Sequence, residues 1–210
     1  MILALKAIMK DVLDAEMVRI NHTFDEDYFF GAVYTDYDKF YEWEKYATDL
    51  TDRYAFNSFL DVGCGCGNLV KKIKAIVNHR SRVDHDIQGV DASIFAVSRA
   101  NVPFVQLADC RDLPFADKQF DFVYILTTFS YLPSLADIKL AMREAYRVSS
   151  RTIVFDDVYS VPSKDSYEYD PRREIIYFQD QWLSYWKEIL SANDSAEIRD
   201  YEIVIKKNGS

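Results

Sequence analysis

The sequence lacks the features of secreted, membrane-spanning and nucleic-acid-binding proteins. Its three cysteines, Cys64, Cys66 and Cys110, are too few for a disulfide framework and suggest reduced thiols. The formal net charge of −9 contrasts with the basic surface that nucleic acid requires. No apolar run approaches transmembrane length, and early charges at Lys6 and Lys10 are unlike a signal peptide. We therefore expect a cytoplasmic protein without membrane association, and nucleic acid is disfavoured as its partner.

Hydrophobic residues are plentiful. They make up 49% of 210 residues, which is enough for the core of one domain, and aromatic residues reach 15%. Apolar residues at helical spacing predict a helix from Ile2 to Ile20. An acidic and aromatic connector follows, and a second helix is predicted from Tyr37 to Tyr54, with a capping box beginning at Thr35. Residues 1–56 are thus predicted to be helical and aromatic.

Glycine is scarce, but three of the six glycines stand at alternate positions. Gly63, Gly65 and Gly67 follow an apolar run that ends in Asp61, and a helical apolar pattern begins at Leu69. This order predicts a strand, a tight turn and a helix. Glycine permits positive φ and close approach of the backbone to a ligand, while a helix start offers unpaired N–H groups. The stretch is predicted to hold a small molecule against the main chain.

Strand and helix patterns alternate after this turn. Four further strands are predicted: one that ends at Asp91, one from Val102 to Leu107 that leads to Asp109, one over 120–126, and one that ends at Asp156. Helices capped by Ser93 and Ser134 are predicted between them. The alternation predicts an α/β fold: a Rossmann-like, doubly wound, mostly parallel sheet with helices on both faces. Ligands of such sheets bind at the carboxyl ends of the strands. A tyrosine-rich loop over 158–173, a helix around Trp182 and one strand over 198–206 complete the prediction.

The glycine pattern is not that of a dinucleotide fold. That turn needs G-x-G-x-x-G/A, whereas Asn68 occupies the last position here. The acid-x-G-x-G-x-G order instead resembles the first motif of the class I S-adenosylmethionine-dependent methyltransferases. Residues 89–93 (GVDAS), 108–115 (ADCRDLPF), 120–124 (FDFVY) and 143–148 (REAYRV) resemble later segments of that family, in the family's order.

The resemblance implies S-adenosyl-L-methionine as the cofactor. Residues 1–56 would be a helical and aromatic lid, and residues 57–210 the cofactor-binding core. Asp91 can accept from the ribose hydroxyls, Asp109 from the adenine amino group, and Asp61 can attract the ammonium group or anchor the turn. The expected cofactor-binding residues are Tyr28, Asp61, Gly63, Cys64, Gly65, Gly67, Asp91, Ala92, Asp109, Cys110 and Leu126.

The methyl acceptor is harder to read from the sequence. The Asn/Asp-Pro-Pro-aromatic signature of amino-methylating nucleic-acid enzymes is absent from residues 127–133, and the Leu-Pro-Phe segment resembles the subgroup acting on small metabolites. We expect a small-molecule acceptor and a monomer or homodimer. No catalytic residue is assigned, because a general base is needed only for some acceptors. The bases considered, each more typical of a structural residue, are His22, Tyr28, Tyr131, Asp156 and Asp157.

Alternatives remain open at this point. The basic run from Lys71 to Arg82 would suit methylation of RNA or protein, although it is also typical of a solvated helix face. An aminopropyltransferase shares the fold, but Thr127 and Thr128 stand where paired acids would be expected. A non-catalytic nucleotide-binding domain is the third alternative. A soft-metal site at the three cysteines has weak spacing, so no metal is expected.

Overall fold

A computed structural model describes residues 23–81, 84–156, 179–200 and 202–208. The strands are β1 Ser58–Val62, β2 Asp86–Asp91, β3 Val105–Leu107, β4 Phe120–Leu126, β5 Ser149–Asp156, β6 Ser195–Arg199 and β7 Glu202–Lys206. The α-helices are Tyr37–Phe40, Trp43–Arg53, Asn68–Arg80, Ile94–Ala100, Leu135–Val148 and Gln179–Lys187, with a π-helical turn Tyr28–Ala32 and a 3-10 turn Phe129–Tyr131. Among the described residues, no helix is both long enough and apolar enough to cross a bilayer.

The described strands form one seven-stranded sheet in the order β3-β2-β1-β4-β5-β7-β6. The first five strands run parallel, whereas β7 is antiparallel to both β5 and β6. This confirms the predicted α/β class with a mostly parallel sheet. The strand order reverses between β1 and β4, and ligands of such sheets bind in the crevice at that point.

Helices cover both faces of the sheet, so its central strands are buried on both sides. On one face, Val123, Ile125 and Phe155 pack with Trp182 and Trp186 and with the helix Leu135–Val148. The other face carries Phe59, Phe122 and Tyr124, which pack under the helices Trp43–Arg53 and Asn68–Arg80. Period-two alternation along each strand divides the core between these layers. The central strands therefore read as continuous apolar runs.

Several local predictions are confirmed. β4 spans the predicted residues, and the hydroxyl oxygens of Ser93 and Ser134 accept from the N–H groups of Ala96 and Asp137 at their helix starts. These caps satisfy donors that would otherwise be unpaired. Local sequence was therefore enough to fix both helix starts.

The end of the chain corrects one prediction. Instead of a single strand over 198–206, β6 and β7 form an antiparallel hairpin in which Ile198 pairs with Ile203. The turn contains Asp200 at φ 53°. Aspartate tolerates this left-handed conformation better than most residues, which lets the chain reverse without a glycine. The apolar residues on both arms produced one continuous strand pattern.

The segment before β1 differs from two further predictions. The predicted helix from Tyr37 to Tyr54 is interrupted, because Tyr41 is extended at φ −106° and ψ 151°. Asp36 precedes the first piece without a side-chain capping bond, so the capping box at Thr35 is wrong. β3 also begins at Val105 rather than Val102, because a turn joins the Val105 N–H to the Val102 carbonyl.

Some predictions lie outside the described residues. These are the helix from Ile2 to Ile20, His22, Asp157 and the tyrosine-rich loop over 158–173. The division of the chain at residue 56 stays a prediction.

Candidate functional site

The glycine turn is bonded to the neighbouring strand. The N–H groups of Gly63 and Cys64 both donate to the Val90 carbonyl, at 2.8 and 2.9 Å. Gly63, Gly65 and Gly67 have φ of 80°, 53° and 70°, where side chains cause strain. The turn thus projects from the junction of β1 and β2, at the carboxyl edge of the sheet.

Asp91 holds this turn to the helix that follows β2. One carboxylate oxygen accepts from the Gly65 N–H and the other from the Ser93 N–H, both at 2.8 Å. Burial raises the pKa of Asp91, and these backbone N–H groups oppose that rise. The carboxylate predicted for the ribose therefore also fixes the shape of the turn.

Asp61 contains an unsatisfied acceptor. Asp61 is 2% exposed, and its Oδ1 atom has no hydrogen-bond partner among the residues that the structure describes. Burial, with a smaller contribution from the charge of Asp91, raises the pKa of Asp61 to about 8. An unpaired buried acceptor is costly and is the kind of atom that a ligand satisfies. The ammonium group of S-adenosylmethionine is a chemically suitable donor, so the residues present fit this cofactor.

A cleft that is partly open to solvent lies between the glycine turn and the aromatic segment, residues 24–43. Most of the predicted cofactor residues line this cleft: Tyr28, Asp61, Gly63, Cys64, Gly65, Asp91, Ala92, Cys110 and Leu126. Tyr28 and Leu126 are far apart in the sequence, so the fold assembles this cleft from separate parts of the chain. Their binding roles remain predictions.

Two predicted residues do not line the cleft. Gly67 precedes the helix Asn68–Arg80, and a Cβ added there would lie 3.0 Å from Val105 Cγ2, so its role is packing. Asp109 pairs with the Arg111 guanidinium at 2.7 Å, and the same guanidinium reaches Asp137 at 2.9 Å. The Asp109 carboxylate thus anchors the loop after β3, and its contact with adenine stays a prediction.

The cysteines near the turn are protonated thiols. Burial raises the pKa of Cys64 and of Cys110, and raises that of Cys66 to about 12. A protonated thiol is a small apolar group and a poor nucleophile. Cys64 also packs closely, because a Cβ added at Gly89 would lie 2.9 Å from its sulfur.

The aromatic segment is hydrogen-bonded to the core at two places. Ser93 Oγ donates to the Phe24 carbonyl at 2.6 Å. Asp38 accepts from Asn68 Nδ2 at 3.0 Å and from the Arg99 guanidinium at 2.8 Å. These tethers hold aromatic rings over the turn, although opening and closing of the segment as a lid stays a prediction.

Sequence reasoning left other lining residues unassigned. Tyr37 was expected among the aromatic residues before β1 without a binding role of its own, and its hydroxyl lies 2.5 Å from where a Gly65 Cβ would be. Thr127 and Thr128 also line the cleft, and their place just after β4 was the available signal. Thr127 is at φ 46°, which is rare for a β-branched residue. Asp156, a considered base, instead accepts from the Tyr124 hydroxyl at 2.9 Å.

The fold and the turn define a Rossmann-like domain with a ligand cleft at the carboxyl edge of β1, β2 and β4. Residues 60–152 match the family model described as "Methyltransferase domain". The match falls on the stretch whose motifs resemble the class I S-adenosylmethionine-dependent methyltransferases, and it confirms that resemblance for these residues.

Curated relatives match about half of the chain. A ubiquinone/menaquinone biosynthesis C-methyltransferase of Pseudomonas fluorescens is 29% identical over 123 residues, covering 54% of this chain and 47% of that protein. The demethylmenaquinone methyltransferase of Porphyromonas gingivalis is 32% identical over 117 residues, covering 50% of this chain and 44% of that protein. The chain thus spans about half the length of the curated relatives it matches.

Solved structures show the same fold. An amino pentose methyltransferase from Micromonospora echinaspora, solved with S-adenosylmethionine bound, superposes with a TM-score of 0.59 at 14% identity, covering 81% of this chain and 94% of that one. A methyltransferase from Aquifex aeolicus superposes with a TM-score of 0.57 at 15% identity, covering 90% and 96%. At such identities the likeness concerns the fold alone.

Proposed function

We propose that this protein transfers a methyl group from S-adenosylmethionine to a small-molecule acceptor. The unpaired Oδ1 atom of buried Asp61, in the cleft beside the glycine turn, is the observation that carries the proposal. The cofactor, when bound, supplies an electrophilic methyl group on a sulfonium. The domain match over residues 60–152 and the relatives named as methyltransferases support this reading.

The chain's own residues would bind the cofactor and exclude water. Asp61 would accept from the ammonium group, and Asp91 would hold the turn in shape while offering its carboxylate to the ribose. Backbone at Gly63 and Gly65 lines the cleft without a Cβ in the way. Rings of the aromatic segment line the cleft and would help to keep water from the electrophile once the substrates are bound.

Charges on the basic run favour a small acceptor over nucleic acid. Lys72 pairs with Glu44 and Arg80 with Asp52, each at 2.7 Å, while the Lys71 ammonium donates to the Cys66 carbonyl. The carboxylate partners partly neutralise Lys72 and Arg80. Fewer cations are then available to bind phosphates and to release the counterions condensed on a nucleic acid. The net charge of −9 acts in the same direction.

Isothermal titration with S-adenosylmethionine and with S-adenosylhomocysteine tests the cofactor claim. Both are expected to bind and to raise the melting temperature. Asp91→Ala should weaken binding, and Asp86→Ala, an exposed change at the other end of β2, should not. Absence of binding heat together with an unchanged melting temperature would refute the proposal.

A further inference from the structure

We propose that Arg111 is a positioning residue for the base of the cofactor, and that the Asp109 carboxylate acts through it rather than by accepting from the adenine amino group. The inference rests on the proposed function, since it concerns the adenosyl end of the same cleft. We call residues 108–112, which follow β3, the β3 loop. Ala108 and Cys110 line the cleft, whereas Asp109 between them is not among the described lining residues.

The Asp109 carboxylate is already occupied by donors of its own loop. Its Oδ1 atom accepts from the main-chain N–H of Arg111 at 2.8 Å and from the Nε of the same residue at 3.0 Å. Its Oδ2 atom accepts from Nη2 at 2.7 Å and from Nε at 3.2 Å. An ionised carboxylate offers about four lone-pair sites, and each oxygen here already faces two donors. Acceptance from an adenine amino group would require one of these bonds to break.

The pair of Arg111 and Asp109 is buried and directional. The Arg111 side chain is 2% exposed and that of Asp109 10%, so solvent screens their attraction little. A planar guanidinium that donates to both carboxylate oxygens fixes orientation as well as charge. Main-chain bonds complete the loop, because the Asp112 N–H donates to the Asp109 carbonyl and the Ala108 N–H to the Asp91 carbonyl, both at 3.0 Å. The β3 loop is thereby held beside the residue expected to bind the ribose.

Arg111 also joins two walls of the cleft. Its Nη1 atom donates to Asp137 Oδ1 at 2.9 Å. Asp137 lies in the first turn of the helix Leu135–Val148, where its N–H donates to Ser134 Oγ at 3.1 Å. This helix start closely follows Leu132, which lines the cleft in the segment after β4. One buried guanidinium therefore connects the β3 loop to the opposite segment, and its loss would shift both.

Base preference distinguishes the two possible roles of Asp109. Hypoxanthine carries a carbonyl where adenine carries its amino group, so a carboxylate that accepts from the amino group favours adenine directly. An amide at position 109 could donate to the carbonyl instead, which would move the preference toward hypoxanthine. If Asp109 acts through Arg111, its loss displaces the β3 loop, and both bases lose affinity alike.

Titration with two nucleosides tests this. S-adenosylhomocysteine and S-inosylhomocysteine, its hypoxanthine counterpart, are titrated calorimetrically into the full chain at a temperature well below its melting temperature. Asp109→Asn should weaken both by about 2- to 30-fold, the range for residues that act through a network. The ratio of the two affinities should stay within about twofold of that in the unaltered protein, as for independent effects. A larger shift toward S-inosylhomocysteine would show direct contact with the amino group and overturn the proposal.

Arg111→Lys tests the positioning role itself. Lysine keeps the charge but cannot donate to both carboxylate oxygens in one plane, so both nucleosides should again bind about 2- to 30-fold more weakly, with an unchanged ratio. A residue that only stabilises the fold would lower the melting temperature and leave the affinities of the folded protein unaltered. That result would overturn the proposal. Arg143→Lys, an exposed change on the helix Leu135–Val148, is the control and should alter neither quantity.

Asp137→Ala provides a second variant in case Arg111→Lys does not fold. The Asp137 side chain is 23% exposed, and its removal leaves the bonds between Arg111 and Asp109 in place. Both nucleosides should bind more weakly, because the β3 loop is no longer joined to the segment after β4. Unchanged affinities would reject the connection between the two walls.

The same titrations separate this inference from the proposed function. If neither nucleoside binds the unaltered protein, the proposed function and the inference both fail. If S-adenosylhomocysteine binds and Asp109→Asn changes the base preference, the proposed function stands and the inference alone is rejected.

Discussion

The substitution Asp61→Asn is expected to have opposite effects on protein stability and on cofactor binding. The substitution keeps the shape of the side chain and removes its negative charge. In the folded protein the pKa of Asp61 is raised from 3.8 to about 8 by burial and by Asp91. Asp61 is 2% exposed, so solvent screens this effect little. We expect the substitution to stabilise the ligand-free protein and to weaken cofactor binding.

The magnitude follows from proton linkage. Between about pH 4 and pH 8 the folded state retains a proton that the unfolded state releases, so stability falls as pH rises through this window. At about 1.4 kcal/mol per pKa unit, the loss reaches at most about 6 kcal/mol above pH 8. Asp61→Asn removes this dependence. In a domain of this size, each kcal/mol corresponds to about 2–4 °C in melting temperature.

Thermal unfolding at pH 5 and pH 8 measures the first effect. The variant should melt several degrees above the unaltered protein at pH 8, and the difference should shrink at pH 5. Titration with S-adenosylhomocysteine measures the second, where loss of a charged hydrogen bond of about 1.5–3 kcal/mol weakens binding roughly 10- to 150-fold. Asp86→Asn, at the exposed start of β2, serves as the control.

Two results would refute this reasoning. A lower melting temperature at both pH values would mean that the carboxylate has a stabilising partner in the folded protein. Higher stability with unchanged cofactor affinity would place the ammonium group elsewhere in the cleft.

Three further changes test other parts of the site. Thr127→Gly should raise stability by about 1 kcal/mol in denaturant titration, because φ 46° strains a β-branched residue; no gain would mean that the threonine side chain makes compensating contacts. Gly67→Ala should lower stability by about 1–2 kcal/mol, because alanine would be strained at φ 70° and crowd Val105, with little change in cofactor affinity. Asp38→Asn should speed cofactor release in stopped-flow measurements and reduce its salt dependence, because the pair of Asp38 with Arg99 ties the aromatic segment to the helix Ile94–Ala100; an unchanged rate would separate this contact from cofactor exchange.

The sequence predicted the elements whose determinants are local. β4 is a continuous apolar run, Ser134 lies directly before its helix, and the glycine turn with its flanking acids occupies one short stretch. Each depends on neighbouring residues, so the pattern contains the needed information. Asp61 and Asp91 were placed at strand ends by the same reasoning, and the parallel alternation brought them to one edge.

Contacts between distant residues could not be read in this way. Nothing local marks the Arg111 guanidinium as the partner of both Asp109 and Asp137, or Asp38 as the link to Asn68 and Arg99. These pairs depend on how loops of different strands meet above the sheet. The orphaned Oδ1 of Asp61 is also a tertiary result, since its burial and the nearby charge of Asp91 arise only when β1 and β2 pair.

The glycines of the turn are required for more than the one reason that the sequence suggested. Gly63 and Gly65 were expected to be glycines so that a cofactor could approach. The side chains nearest their missing Cβ atoms are those of Thr128, at 2.1 Å, and Tyr37, at 2.5 Å. The turn therefore also has to accept the segment after β4 and the aromatic segment, both of which line the cleft. A side chain at Gly65 would displace Tyr37 before it met any ligand, so such a change would disturb the aromatic segment as well as the glycine turn.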